Sequence, residues 1–273
     1  MTRRAAAVAA VLLSVVLPGC ASHDEPDRAR VPKDSPAAPP TALPQSDAPY
    51  PLDAAALSPD ITNPWFPLKP ATRWTYRETD EEGAVQQGVM TVTDRTRRIA
   101  DGAEARVVRD TVSEDGQVVE DTFDWYAQDA DGTVWYLGED TAEFEDGRLT
   151  NRDGSFEAGV KGGLEGIIMP AEPTVGQAYR EEYLSGVAED HGKVLALDGR
   201  AEVPAGSYDH LVKIADTTPL EPDVLEQKYY ARDVGVVLTV DTRSRAREVL
   251  VSMTTVTPAE ARRAATVPLG RRY

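Results

Sequence analysis

The chain of 273 residues is 41% hydrophobic and 7% aromatic, enough apolar material for one sizeable core and one main domain. It carries 46 Asp and Glu against 29 Lys and Arg, a formal charge of -17, and an acidic surface of that size repels phosphate backbones and anionic headgroups, which argues against nucleic acid as a partner. A single cysteine and three histidines leave too little for disulfides, zinc centres, thiol chemistry or histidine triads, so no cofactor is implied and no catalytic residue stands out.

The first residues, Met1-Thr2-Arg3-Arg4, lead into an apolar run from Ala5 to Leu17. That run is shorter than the roughly 20 residues a membrane-crossing helix needs, so residues 1–19 read as a signal peptide. Its end, Leu17-Pro18-Gly19-Cys20, resembles the lipobox of bacterial lipoproteins, which implies lipidation of Cys20 and cleavage before it. Each buried methylene contributes about 0.8 kcal/mol, and two acyl chains hold where one does not. The expected location is extracytoplasmic, with the chain anchored to a membrane of the cell envelope through its N-terminal lipid. Loss of residues 1–19, which hold two arginines and no acid, takes the formal charge to -19.

Residues 20–62 are rich in Pro and Ala, with Pro36, Pro39, Pro40, Pro44, Pro49 and Pro51 interrupting regular structure, and read as a disordered linker holding the domain off the bilayer. The stretch Asn63-Pro64-Trp65-Phe66-Pro67-Leu68-Lys69-Pro70 opens the folded part, and its prolines force an extended path that lays Trp65 and Phe66 on the core as a lid or brace, with ligand stacking as the alternative. An antiparallel β domain is expected over 63–257. Trp74 and Tyr76, Phe123 and Trp125, Val236 with Leu238 and Val240, and Val249 with Val251 and Met253 alternate at the period of half-buried strands. Asp-Gly steps at 101–102, 115–116, 131–132, 146–147, 153–154 and 198–199 mark hairpin turns. Residues 159–176, with Gly162-Gly163, Pro170 and Pro173, read as a crossing loop dividing the sheet into an earlier and a later half. Thr257-Pro258-Ala259-Glu260 carries the capping-box pattern of a short helix over about 258–265, and the tail to Tyr273 is expected to fray. The fold expected is all-β: a strongly curved antiparallel sheet, as a meander, half-barrel or barrel-like form, with a short C-terminal helix.

Candidate sites are few. Trp125, Trp135, Tyr136 and Tyr229 are expected to line the concave face of the sheet as a ligand surface, with Tyr183 and Tyr230 as further members, against the alternative that they are core residues. Asp129-x-Asp131-Gly132 matches the opening of a calcium loop, since hard cations want several converging oxygens, but the later ligands of that loop are missing and a turn is the alternative. Glu181-Glu182 and Glu139-Asp140 are adjacent, so on a strand their members point to opposite faces and read as solvated charge. His191 and His210 read as ordinary sheet residues.

Several blocks together, Asn63 to Pro70, Asp124 to Asp129 with Val134 to Asp140, Gly166 to Ala171, and Thr218 to Pro222 with Lys228 to Ala231, resemble an uncharacterised family of bacterial secreted or lipidated proteins over roughly 63–240. The late Lys228-Tyr-Tyr-Ala231 segment with Val234-Gly-Val236 is similar to the last strands of lipoprotein-carrier half-barrels. The resemblance implies no catalytic residues. The function expected is binding, without catalysis, of an apolar or amphiphilic ligand or of an envelope partner protein. An envelope hydrolase using carboxylates, with or without calcium, and a structural scaffold are the alternatives.

Overall fold

The computed structural model describes residues 43–45 and 47–273; the signal peptide, Cys20 and the first part of the linker lie outside the described residues. Alternating sequence and tight turns produce β1 (Thr72–Thr79), β2 (Val85–Arg98), β3 (Glu104–Glu114), β4 (Gln117–Gln128), β5 (Val134–Glu145), β6 (Arg148–Asn151), β7 (Phe156–Glu157), β8 (Gly166–Met169), β9 (Ala178–Arg180), β10 (His191–Val203), β11 (Gly206–Thr217), β12 (Glu226–Ala231), β13 (Gly235–Asp241) and β14 (Arg247–Thr255). All join one antiparallel sheet, ordered β6-β5-β4-β3-β2-β1-β14-β13-β12-β11-β10-β9, while β7 and β8 also pair with β5. Two meanders are thus fused where β1 lies against β14, from Thr72 opposite Thr255 to Thr79 opposite Arg247.

The sheet is strongly curled. Phe66 lies 5.3 Å from the ring of Tyr126 on β4 and 6.4 Å from that of Tyr230 on β12. Those strands are six places apart in the sheet, about 29 Å if it were flat. Phe66 therefore fills the concave side, as the proline-bounded brace was expected to. The two ends approach without closing: Leu164 and Tyr183 exchange backbone hydrogen bonds of 2.8 and 3.3 Å beside β8 and β9.

Five of the six Asp-Gly steps lie in turns. Asp115-Gly116 and Asp146-Gly147 have positive φ at both positions, 48° and 77°, then 52° and 73°, as two-residue hairpins require. Asp198-Gly199 corrects the expectation: it lies inside β10 at an irregularity in its pairing with β11. A Cβ on Gly199 would sit 3.1 Å from the Leu211 carbonyl, so the glycine admits the neighbouring backbone, and the chain reverses after Val203 instead. Nor is 159–176 only a loop. Its β8 takes the edge of β5 after β6 and β7 have used the other parts of it.

Helix α1 (Pro258–Thr266) has the full capping box between Thr257 and Glu260 and buries Ala261 and Ala264. The tail beyond it docks where fraying was expected. Arg109 on β3 is fully buried and ion-paired with Asp121 on β4. Its guanidinium also donates to the carbonyls of Ala264 at 3.1 Å, Val267 at 2.8 Å and Pro268 at 3.2 Å, while the amide of Gly270 donates to Asp121 Oδ2 at 2.7 Å. A buried ion pair needs such extra hydrogen bonds to offset desolvation, and the tail supplies them.

The expected linker ends sooner than residue 62. From Leu43 the chain runs along the domain: the Arg180 amide donates to Pro44 O at 2.8 Å, Ser58 pairs with Gln128, and Leu57 and Ile61 are buried. Prolines limit the regular structure of this stretch, which includes a 3-10 turn at Ala54–Ala56, but Leu43, Tyr50 and Leu52 still pack partly buried against the core. Among the described residues, no helix is long and apolar enough to cross a membrane.

Candidate functional site

Alternation divides the concave face into an apolar floor and an acidic mouth. On β1, Trp74 and Tyr76 on the floor are followed by Glu78; on β4, Tyr126 is followed outward by Asp124, Thr122 and Glu120; on β12, Tyr230 is followed by Lys228 and Glu226. Register carries the pattern across strands, placing Glu78 opposite Glu248, Asp110 opposite Thr122, Asp124 opposite Glu139, Glu120 opposite Glu143, and Glu226 opposite Asp216. The floor is full. The void among Phe66, Leu68, Trp74, Tyr76, Met90 and Val236 measures about 30 Å³, space for a water or two and not for an acyl chain.

Sheet curvature brings the mouth carboxylates within electrostatic range of one another, and five of them are raised. Burial first, then Asp121, raise Asp110 to about 6. Burial followed by Asp110, Glu139 and Glu143 raise Glu120 to about 7. Burial and then Asp110 and Glu78 raise Glu248 to about 8. Asp124 is pushed well above the usual carboxylate range by burial and by Glu139, and burial raises Glu139 to about 7. Lys228 is the cation set among them. Burial opposes its charge, but Asp216 and Glu226 outweigh that and raise its pKa. Its ammonium is 2.6 Å from Asp216 Oδ2 and 3.8 Å from Glu226.

Two groupings stand out within the mouth. In the first, the hydroxyl of Tyr136 lies 2.8 Å from Asp124 Oδ1 and 3.0 Å from Glu139 Oε2. A phenol has one proton to donate, so the second contact is satisfied when that carboxyl is protonated and donates to the phenol oxygen. The trio is therefore arranged to share a proton once one of its carboxyls is protonated. In the second, Tyr179, Glu181 and Asp216 surround Gly192: Tyr179 and Asp216 are its register neighbours, and the Glu181 carboxylate lies against its backbone.

The residues expected from sequence are distributed differently. Tyr136 is on the concave face. Trp125 and Trp135 point to the other side, where the Arg97 guanidinium lies 3.8 Å over Trp125 and Tyr50 packs 5.3 Å from Trp135. Tyr229 is also turned outward, with the Lys213 ammonium 5.1 Å above its ring. These three are therefore not part of the concave surface; Tyr230 is. Asp129 builds the turn after β4: its Oδ1 accepts from the amides of Asp131, Gly132 and Thr133 at 3.0, 3.0 and 2.9 Å, and its Oδ2 from Trp135 Nε1 at 2.9 Å. Asp131 is exposed. Among the described residues, no group of three or more His, Cys, Asp or Glu is placed to hold a metal ion.

Glu139 and Glu181 are not solvated surface charges, as adjacency had implied. Glu181 is buried and Glu139 half-buried beside Tyr136, while Asp140 pairs with Arg152. Strict alternation would put Tyr136 and Glu139 on opposite faces. A bulge at this point of β5 brings them together, with Gly138 at φ 134° and too close to the Phe156 carbonyl to carry a Cβ. The glycine between Leu137 and Glu139 was the available signal.

No protein-family model matches the chain, and no curated protein sequence does either. Among solved structures, it is similar to a Bacteroides fragilis protein described as exported, with a YmcC-like fold: 14% identity, TM-score 0.43, 71% of this chain and 100% of that one. A Parabacteroides distasonis protein described as a lipoprotein matches at 14% identity and TM-score 0.39, over 71% of this chain and 100% of that one. A β-barrel-like protein of domain of unknown function DUF1849 from Brucella abortus matches at 14% identity and TM-score 0.35, over 68% and 98%.

Proposed function

We propose that the chain is a binding protein, held outside the cytosol by a lipid on Cys20, whose acidic mouth takes a positively charged, amine-bearing ligand. The observation that carries this is the gathering of Glu78, Asp110, Glu120, Asp124, Glu139, Glu226 and Glu248 on one concave face, with Lys228 held beside Glu226 and Asp216. Such a surface raises the local concentration of cations and repels anions. The filled floor narrows the expected apolar or amphiphilic ligand to one whose charged part does the binding.

The test is calorimetric titration of the mature chain, with Cys20→Ser to keep it in solution, using 1,5-diaminopentane and, for comparison, pentanoate. The diamine should bind at pH 8, more weakly as salt rises and more weakly toward pH 5 as the carboxylates take up protons. Equal binding of the anion, or no binding of the diamine, overturns the reading. A second reading, hydrolysis by paired carboxyls, has the Asp124–Tyr136–Glu139 trio in its favour, because one protonated and one ionised carboxyl are what glycoside cleavage uses. Glycan hydrolysis that disappears on Glu139→Gln would support it.

A further inference from the structure

Four oxygens at the base of the mouth have no hydrogen-bond partner among the described residues, the hydroxyl of Tyr179, Oε1 of Glu181 and both carboxylate oxygens of Asp216; Asp216 Oδ2 is ion-paired with Lys228, which leaves three. Their residues are 0%, 4% and 6% exposed. Buried polar atoms are almost always hydrogen-bonded, and those that are not call for a missing partner. The three belong to one place. A Cβ built on Gly192 would lie 2.5 Å from Glu181 Oε1 and 2.6 Å from the Tyr179 ring, and Asp216 is the residue facing Gly192 across the β10–β11 ladder. Only a residue without a side chain lets the Glu181 carboxylate and the Tyr179 ring lie this close to the β10 backbone and to each other.

We propose that the oxygens of Tyr179, Glu181 and Asp216 are the seat of a primary ammonium group on the ligand. The proposal rests on the cationic-ligand reading and deepens it. A primary ammonium offers three N–H donors and no acceptor, which matches the two carboxylate oxygens and a lone pair of the Tyr179 hydroxyl, whose own O–H remains a donor. The charge also matches. Lys228 balances Asp216 at 2.6 Å, so the carboxylate of Glu181 is the one left for an incoming cation. Burial and then Asp216 push Glu181 well above the usual carboxylate range, and Lys228 pulls it back only in part, so an incoming cation would favour its ionised form. The approach is past Lys228, whose side chain is 29% exposed and whose flexible four-carbon stem lets it swing outward.

A quaternary ammonium carries the same charge without N–H donors, so it separates this seat from general attraction to the mouth. Titrations at pH 8 would compare 1,5-diaminopentane with its bis(trimethylammonium) counterpart on the mature Cys20→Ser chain. The diamine should bind at least tenfold more tightly. Glu181→Gln and Tyr179→Phe should each remove that preference, while Glu120→Gln, out in the mouth, should weaken both compounds by a similar factor. Equal affinity of the two compounds for the parent chain overturns the seat and leaves the cationic mouth standing. No binding of either overturns both. Should a variant fail to fold by circular dichroism, the ratio of the two affinities in the parent chain decides alone.

Discussion

Replacing Glu139 by Gln tests the electrostatics of the mouth with a predicted sign at two pH values. Glutamine has the shape of a protonated glutamate, and its amide can donate to the Tyr136 oxygen, leaving the phenol proton for Asp124. Burial raises Glu139 from 4.5 to about 7, so the native state holds a proton that the unfolded chain releases. A carboxyl raised in this way contributes stability that is fully present below pH 4.5 and is lost as pH rises through about 7. At 1.4 kcal/mol per tenfold change in proton affinity, the full loss at pH 8 is about 3 kcal/mol. Water reaching the half-buried side chain reduces that to about 1–3 kcal/mol. Glu139→Gln should therefore leave stability nearly unchanged at pH 4 and raise it at pH 8. For a domain of this size that corresponds to roughly 3–10 °C in melting temperature. Because the proton is shared with Asp124, the titration belongs to the pair, and Asp124→Asn should show the same direction. Urea unfolding and thermal melts at both pH values make the measurement. A variant less stable than the parent at pH 8, or equally stabilised at pH 4 and pH 8, refutes the reasoning.

Arg109→Met should cost about 3–5 kcal/mol in urea unfolding, because it strands a buried carboxylate, and amide exchange at Gly270 should accelerate as the tail detaches; unchanged exchange would contradict the docking role of that arginine. Asp129→Ala removes the acceptor of three amides and one indole and should cost about 2 kcal/mol, while millimolar calcium should leave the melting temperature of the parent chain where it was; a clear rise would restore a calcium loop. Lys228→Gln removes the cation competing with the ligand and should tighten 1,5-diaminopentane binding about tenfold, or 1.4 kcal/mol; weaker binding would assign the lysine an attractive role. By intact mass, the chain recovered from the membrane fraction should begin at Cys20 and include its acyl groups, and a bare thiol there would dismiss the lipid anchor.

Much of the sheet was legible because its signals are local. Two-residue alternation and Asp-Gly turns act over a few residues, and the Thr257–Glu260 box fixed the helix start within one turn. What escaped was set by contacts distant in the chain. Glu139 meets Tyr136 on one face only through a bulge whose cause is the close passage of Phe156. Glu181 is buried because β9 folds back beside β10, and nothing near it in sequence announces that. Asp198-Gly199 carries a turn dipeptide, but the ladder to β11 overrides local preference. The tail and the stretch from Leu43 lack periodicity, yet the tail supplies carbonyls that Arg109 needs and the stretch covers Trp135. The aromatics read as sheet residues, but which side each faces depends on where bulges fall, so local pattern points to the large rings and passes over the acids between them.

The fusion of β1 with β14 sets the order of events during synthesis. Each meander can assemble as its own hairpins emerge, but the joint unites residues 72–79 with residues 247–255, almost the full length of the domain apart, and contacts of such separation form late. Until then β1 presents an unpaired edge to solvent, a template for another copy's strand. A chain cut short before Arg247 would keep that edge for good, so a nascent or truncated product should depend on a chaperone in a way the finished molecule does not.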